Sequence, residues 1–200
     1  MEIELHPLCT LFPRMSGGEF ASLASDIKAN GLRNPITLLD GMILDGGNRY
    51  RACLEAGIDP VFAQFEGGNI VSFVLSANLH RRHMSAGQQA AIVASAQDWA
   101  KSQTSGRPIS GQDCPLITVA DRAAQSGAHI NTQKMADKVA KASPELAMQV
   151  AHGEKSLPQA VEEITGKRPG AKQAAPVEDD AMPAPLPAGM VQIEQDRLDE

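Results

Sequence analysis

The stretch Leu44-Asp-Gly-Gly-Asn-Arg-Tyr-Arg-Ala52 reads as the end of a strand, a glycine pair and the start of a helix within nine positions. Upstream, Pro35-Ile-Thr-Leu-Leu39 is rich in β-formers, and Asp40-Gly41 is a hairpin turn signal. Met42–Leu44 is then the returning strand. Downstream, the helix runs from about Asn48 to Ala56 and stops at Gly57. Val61–Phe65 is the next strand, and Asn69 caps a helix with Val71, Val74 and Leu75 on its apolar side. Nearer the N-terminus, Ile3–Leu5 is a short strand. Ser16 and Glu19 stand at capping-box spacing, Phe20, Leu23, Ala24 and Ile27 follow at helical spacing, and Gly31 ends the helix. Alternating elements of this kind predict a compact mixed α/β domain over residues 1–83.

The opening stretch also carries chemistry. Gly46 and Gly47 permit close backbone approach. The helix beginning near Asn48 offers unpaired N–H groups and the positive end of its dipole. Arg49 and Arg51 add guanidinium groups, which suit oxyanions. These residues make a phosphate cradle. They equally fit a plain hairpin-to-helix turn whose arginines pair with Asp45 or Glu55.

Beyond Met84 strand signals nearly vanish. Ser85 caps a helix reciprocally with Gln88, and Ile92, Val93, Ala96 and Trp99 form its buried stripe. Residues 102–115 are Ser/Gly/Pro-rich and read as a loop. A short helix over 117–124 has Val119, Ala120, Ala123 and Ala124 on one face, Gly127 turns the chain, and a second helix starts near Asn131 with Met135 and Val139 inward. This fits a helix-turn-helix that exposes Asn131, Thr132, Gln133, Lys134, Asp137 and Lys138. Gln and Asn suit base edges and Lys suits phosphate. A plain helical hairpin with a polar face fits the same pattern. Ser143-Pro144 and Ser156-Leu157-Pro158 start two more helices. From Pro169 the chain turns Pro/Ala/acid-rich and is expected to be disordered. The expected organisation is therefore α+β: a mixed N-terminal domain, an all-α domain over 84–168 and a disordered acidic tail over 169–200.

Charge is uneven along the 200 residues. Residues 1–77 carry 5 basic and 9 acidic side chains, 78–168 carry 11 and 8, and 169–200 carry 2 and 7, a net of −6. The basic middle suggests a polyanion-binding segment. No apolar run approaches the ~20 residues of a membrane span, and the acidic start MEIELHPL lacks the pattern of a signal peptide. Cys9, Cys53 and Cys114 are odd in number and far apart, without a CxxC pair, against a disulfide framework or structural zinc site. A reducing cytoplasm is the expected compartment, with no membrane partner.

Several blocks, in order, resemble the ParB family of the ParB/sulfiredoxin superfamily. Phe12-Pro13-Arg14 resembles its early QPR-like turn, and Leu23–Ile36 its helix, glycine and Pro-Ile strand. Gly46–Ala52, GGNRYRA, resembles the GERRxRA box, and SANLHRRHMS (Ser76–Ser85) the ENxxR box. The wording is closest to plasmid and phage members. The resemblance implies a domain that holds CTP with Mg2+ through Gly46, Gly47, Asn48, Arg49, Arg51, Asn78 and Arg81. It also implies a helix-turn-helix for double-stranded DNA, with Arg82, Asn131, Thr132, Gln133, Lys134 and Lys138 as contacts, and partition or transcriptional regulation as the function. A ParA-like ATPase and a second copy of the chain are the implied partners. The family's Glu-Arg pair is Gly47-Asn48 here, and the glutamate tied to CTP hydrolysis is Ala77, so the resemblance supports nucleotide binding and argues against turnover.

His80, Arg81, Arg82 and His83 near a helix end fit phosphate or DNA contact, a solvated helix terminus, or a His-x-x-His metal site. Two other functions compete with the leading one. The first is an enzyme, a nuclease or a sulfiredoxin-type one; Cys53 falls inside the helix rather than in the loop, and Asp45 is the lone acid beside the loop. The second is an interaction adaptor with a degenerate helix-turn-helix that does not bind DNA.

Overall fold

The Asp40-Gly41 pair turns the chain with φ values of 50° and 79°, the mirror-image turn that matches the twist of a two-stranded ribbon. It joins β1 (Ile36–Leu39) to β2 (Met42–Asp45) as an antiparallel hairpin. Pairing runs Leu39↔Met42, Leu38↔Ile43 and then Thr37↔Asp45, so Leu44 is an extra residue opposite the Thr37–Leu38 step. At this bulge Ile43 and Leu44 are both buried, in two different apolar clusters. The structure is a computed structural model and describes residues 2–79, 84–104 and 117–167.

After β2, helix α3 (Gly47–Ala56) crosses back to β3 (Phe62–Gln64), which pairs in parallel with β1. The sheet order is β2-β1-β3. Ahead of the sheet lie α1 (Pro7–Thr10) and α2 (Gly17–Asn30); after it comes α4 (Ile70–Asn78). The expected first strand reduces to one bridge, Leu5 with Ile43. Asn69 caps α4 through the Ser72 N–H. The capping box expected at Ser16 does not form: Ser16 makes no side-chain cap bond, and Gly17 enters the helix with φ of 57°, an entry geometry unlike that of a box.

The rest is helical: α5 (Ala86–Thr104), α6 (Val119–Ser126), α7 (Ile130–Ala142), α8 (Pro144–His152) and α9 (Leu157–Thr165). Ser85 and Gln88 cap α5 reciprocally at 2.9 and 3.3 Å. The helix runs through Thr104, past the expected start of the loop. Ala90, Ala91, Ile92, Val93 and Ala94 are consecutive and all buried, so this stretch of α5 is buried all round rather than along one stripe. It packs against α4, α6, α7, α8 and α9. One apolar cluster therefore extends from Leu8, Leu44 and Leu75 on one side of position 84 to Val139, Val150 and Leu157 on the other. The architecture is mixed α+β, and no helix among the described residues is long and apolar enough to cross a membrane. Residues 105–115 of the loop expected over 102–115, with Cys114 among them, and His80, Arg81, Arg82, His83 and the tail 169–200 lie outside the described residues.

Helix α1 is tied to the helical half at two points. The His6 ring, buried, meets Trp99 of α5 edge-on at 5.3 Å, and its Nδ1 accepts from the Leu8 N–H at 3.2 Å. Nε2 of His152, on α8, lies 2.9 Å from the Thr10 carbonyl.

Burial holds the His6 imidazole below its ordinary value, while the Asp40 carboxylate pulls the other way. The folded state thus favours neutral His6. Its contribution is complete above the free-imidazole value of 6.5 and is lost as pH falls through the lower folded value. Melting temperature is expected to drop across that acid window, and a His6→Gln chain to drop less. Parallel melting curves for the two chains would contradict this account.

Candidate functional site

A cavity of about 710 Å³ opens where the α1–α2 loop, the start of α3 and the end of α4 meet the start of α5 and the end of α8. Gly46, Gly47, Asn48, Arg49, Arg51 and Asn78 all line it, so the structure brings six of the seven expected nucleotide-site residues together. Arg81, the seventh, lies outside the described residues. The lining also includes Arg14, Gln88 and His152. Arg14 had a sequence signal in its FPR turn. His152 had none, because it reaches the site through a contact with Thr10, 142 positions away.

The two glycines do different things. Gly46 is the N-cap of α3 with φ of 97°, a left-handed conformation. A Cβ there would lie 2.8 Å from Arg49 Nη2. A Cβ on Gly47 would lie 3.1 Å from Leu5 Cδ2 and 3.4 Å from Cys9 Sγ. Gly47 therefore lets the N-terminal segment pack against α3.

Two polar networks organise the pocket. In the first, Asp45 Oδ2 accepts from Arg49 Nη2 at 2.9 Å and Asp45 Oδ1 accepts from Asn78 Nδ2 at 2.9 Å. Asn78 also donates to the Val74 carbonyl at 3.1 Å, so its amide nitrogen is committed. Of the two pairings open in the sequence, Arg49 takes Asp45. In the second network Asn48 Oδ1 accepts from the Met15 N–H at 3.1 Å, and Arg51 Nη1 donates to the Met15 carbonyl at 3.3 Å. The Arg51 guanidinium lies over the Phe20 ring, 4.3 Å from its centre. With its oxygen engaged, Asn48 can present a donor. Three arginines, Arg14, Arg49 and Arg51, stand against two carboxylates, Glu19 and Asp45, and the mouth of α3 adds its own positive end. This donor set fits an anion. Cys53 is fully buried inside α3, and burial pushes its thiol up from the ordinary value, which does not suit a thiolate nucleophile.

The second candidate surface is α6–α7. Thr118 and Asp121 form a complete capping box, and Gly127 turns the chain at φ of 66°. On α6 the buried residues are Ala123 and Ser126; Ala120 and Ala124 are exposed, contrary to the expected face. On α7, Asn131, Lys134 and Lys138 are exposed and Thr132 is half-buried. Gln133 does not join them, and its expected exposure is corrected: the side chain is fully buried. It accepts from Ser126 Oγ at 2.9 Å and donates to the Ala90 carbonyl at 3.1 Å and to Asp137 at 3.0 Å. Asp137 is also drawn inward, by a two-pronged bond from Arg122 at 3.2 and 2.7 Å. Gln133 therefore bolts the turn to α5, and the base-contact role expected of it has no exposed side chain to act through. Arg82 lies outside the described residues.

Gln133→Ala is expected to destabilise the fold by about 2–3 kcal/mol, through lost hydrogen bonds and a cavity, while Lys134→Ala stays within ~0.5 kcal/mol. Urea unfolding of both variants checks this. An unchanged midpoint for Gln133→Ala would show that the buried bridge is dispensable.

No protein-family model and no curated protein matches this chain.

Proposed function

We propose that this chain is a double-stranded-DNA-binding protein of ParB-like type, acting in plasmid or phage partition or in transcriptional regulation, whose pocket takes a nucleoside triphosphate, CTP with Mg2+. The observation that carries this reading is the pocket lining. Gly46 to Arg49, Arg51 and Asn78 come from separate elements, yet they line one cavity of about 710 Å³ whose donors suit an anion. Phosphate oxygens would be met by Asn48, Arg51, Arg14 and the opening amides of α3. Asn78 would hold the magnesium through its amide oxygen, and the ion would neutralise phosphate charge. Ala77 brings no acid or base, so the ligand is kept rather than hydrolysed. Gln88 and His152 belong to the helical half, so an occupied pocket would touch both halves of the core.

The DNA side of the reading is supported by a capped two-helix unit with Asn131, Lys134 and Lys138 exposed on the second helix. Lysines there would meet phosphate and Asn131 a base edge. A ParA-like ATPase and a second copy of the chain are the partners this function calls for.

Fluorescence anisotropy with duplex DNA across salt concentrations tests the proposal. Lys134→Ala together with Lys138→Ala should weaken binding to every sequence and reduce the salt slope by about two, one per phosphate contact. An unchanged slope would remove α7 from the interface. Labelled CTP with magnesium should bind with phosphate release near background, and steady release would contradict the role given to Ala77.

A further inference from the structure

We propose that Arg49 is the fixed counter-ion of Asp45 rather than a ligand for phosphate, and that Asp45 sets how tightly the pocket holds an anion. The proposal rests on the pocket being the anion site described above. Asp45 is the last residue of β2, lines the cavity, and is only 13% exposed in its side chain. A carboxylate in that place repels any anion that enters, and water screens it poorly. Both of its oxygens are engaged, one by Arg49 and one by Asn78, each at 2.9 Å.

Arg49 is placed for this partner. The strand-to-helix bend at Gly46 brings its Nη2 back onto the carboxylate four residues earlier. Any Cβ at Gly46 would sit 2.8 Å from that nitrogen and 3.0 Å from Nε, so the glycine makes room for the guanidinium. Nε itself is buried and has no hydrogen-bond partner among the described residues. The guanidinium is thus packed under the backbone of the turn, where its inner edge serves Asp45. A phosphate that took Arg49 away would uncover a nearly buried carboxylate beside itself, an arrangement that costs more than the new bond returns. The phosphate side of the cavity is the other pole, Asn48, Arg51 and Arg14. Arg49 acts there through Asp45, as a positioning residue.

A double-mutant cycle on the full chain decides the matter. The readout is affinity for CTP in a magnesium buffer, measured by isothermal titration for wild type, Asp45→Asn, Arg49→Ala and the double variant. Removing Arg49 alone leaves an unpaired carboxylate and should weaken binding about tenfold or more, whereas Asp45→Asn should tighten it by several-fold. In the Asp45→Asn background the Arg49 substitution should change affinity by less than about threefold, because no charge remains to neutralise. An Arg49 effect of equal size in both backgrounds would make Arg49 a direct phosphate contact and overturn the proposal. Weaker binding by Asp45→Asn would make Asp45 part of the ligand's own cation shell and overturn it as well. Absence of CTP binding by all four proteins would instead overturn the nucleotide reading itself. Should Asp45→Asn lose its cooperative melt, Asp45→Ser carries the same cycle.

Discussion

Helix α5 has almost no side that faces water, and this constraint organises the molecule. Five consecutive buried residues, Ala90 to Ala94, leave no polar stripe for solvent. Such a helix has to be covered from several directions, and its alanines let the covering helices come close. α7 and α8 take two of those directions, while α4, α6 and α9 take others. Even the His6 ring, from the chain's N-terminal segment, finds its aromatic partner on α5. The mixed sheet region and the helical region therefore share one interior rather than meeting at a surface.

The bolt that holds the helix-turn-helix to this axis is polar. Gln133 replaces a hydrophobic contact with three hydrogen bonds that reach Ser126, Asp137 and the Ala90 carbonyl. A satisfied buried amide specifies direction in a way that alanines cannot, since each bond has one geometry that meets it. Asp137 and Arg122 extend the network to the protein's edge. The exposed lysines of α7 are thus presented on a helix whose roll about its own axis is fixed from beneath.

Local chemistry was legible in the sequence where a bond closes within a few residues. The Asp40-Gly41 turn, the Asn69 cap, the Ser85–Gln88 exchange and the glycine stops all appear where their residue types place them. Ser16 failed because the glycine after it took a backbone angle that the pattern does not encode. Gln133 was misread by its polarity, although it lies in phase with the buried Ala136 and Ala140, three and seven positions on. Periodicity was the better guide there than residue type. At the pocket, Gly46 to Arg49, Arg51 and Asn78 were legible as residues to be brought together, and their commitments to Asp45, Met15 and Phe20 were not. Those partners come from distant parts of the chain, as does His152, and only packing decides them.

The extra residue in β2 has a bearing on what lengths the hairpin tolerates. Successive residues of a strand point to opposite faces, so a shift of one position inverts every side chain beyond it. With Leu44 out of register, Ile43 and Leu44 both reach apolar interiors while Asp45 pairs with Thr37 and turns to the cavity. A chain shortened by one residue here would gain a regular ladder with the acid still opposite Thr37, but would lose the buried side chain that Leu44 adds to the larger apolar cluster. Homologues that share this pocket are thus expected to keep an apolar residue at 44 together with the spacing between the Asp-Gly turn and the acid at 45.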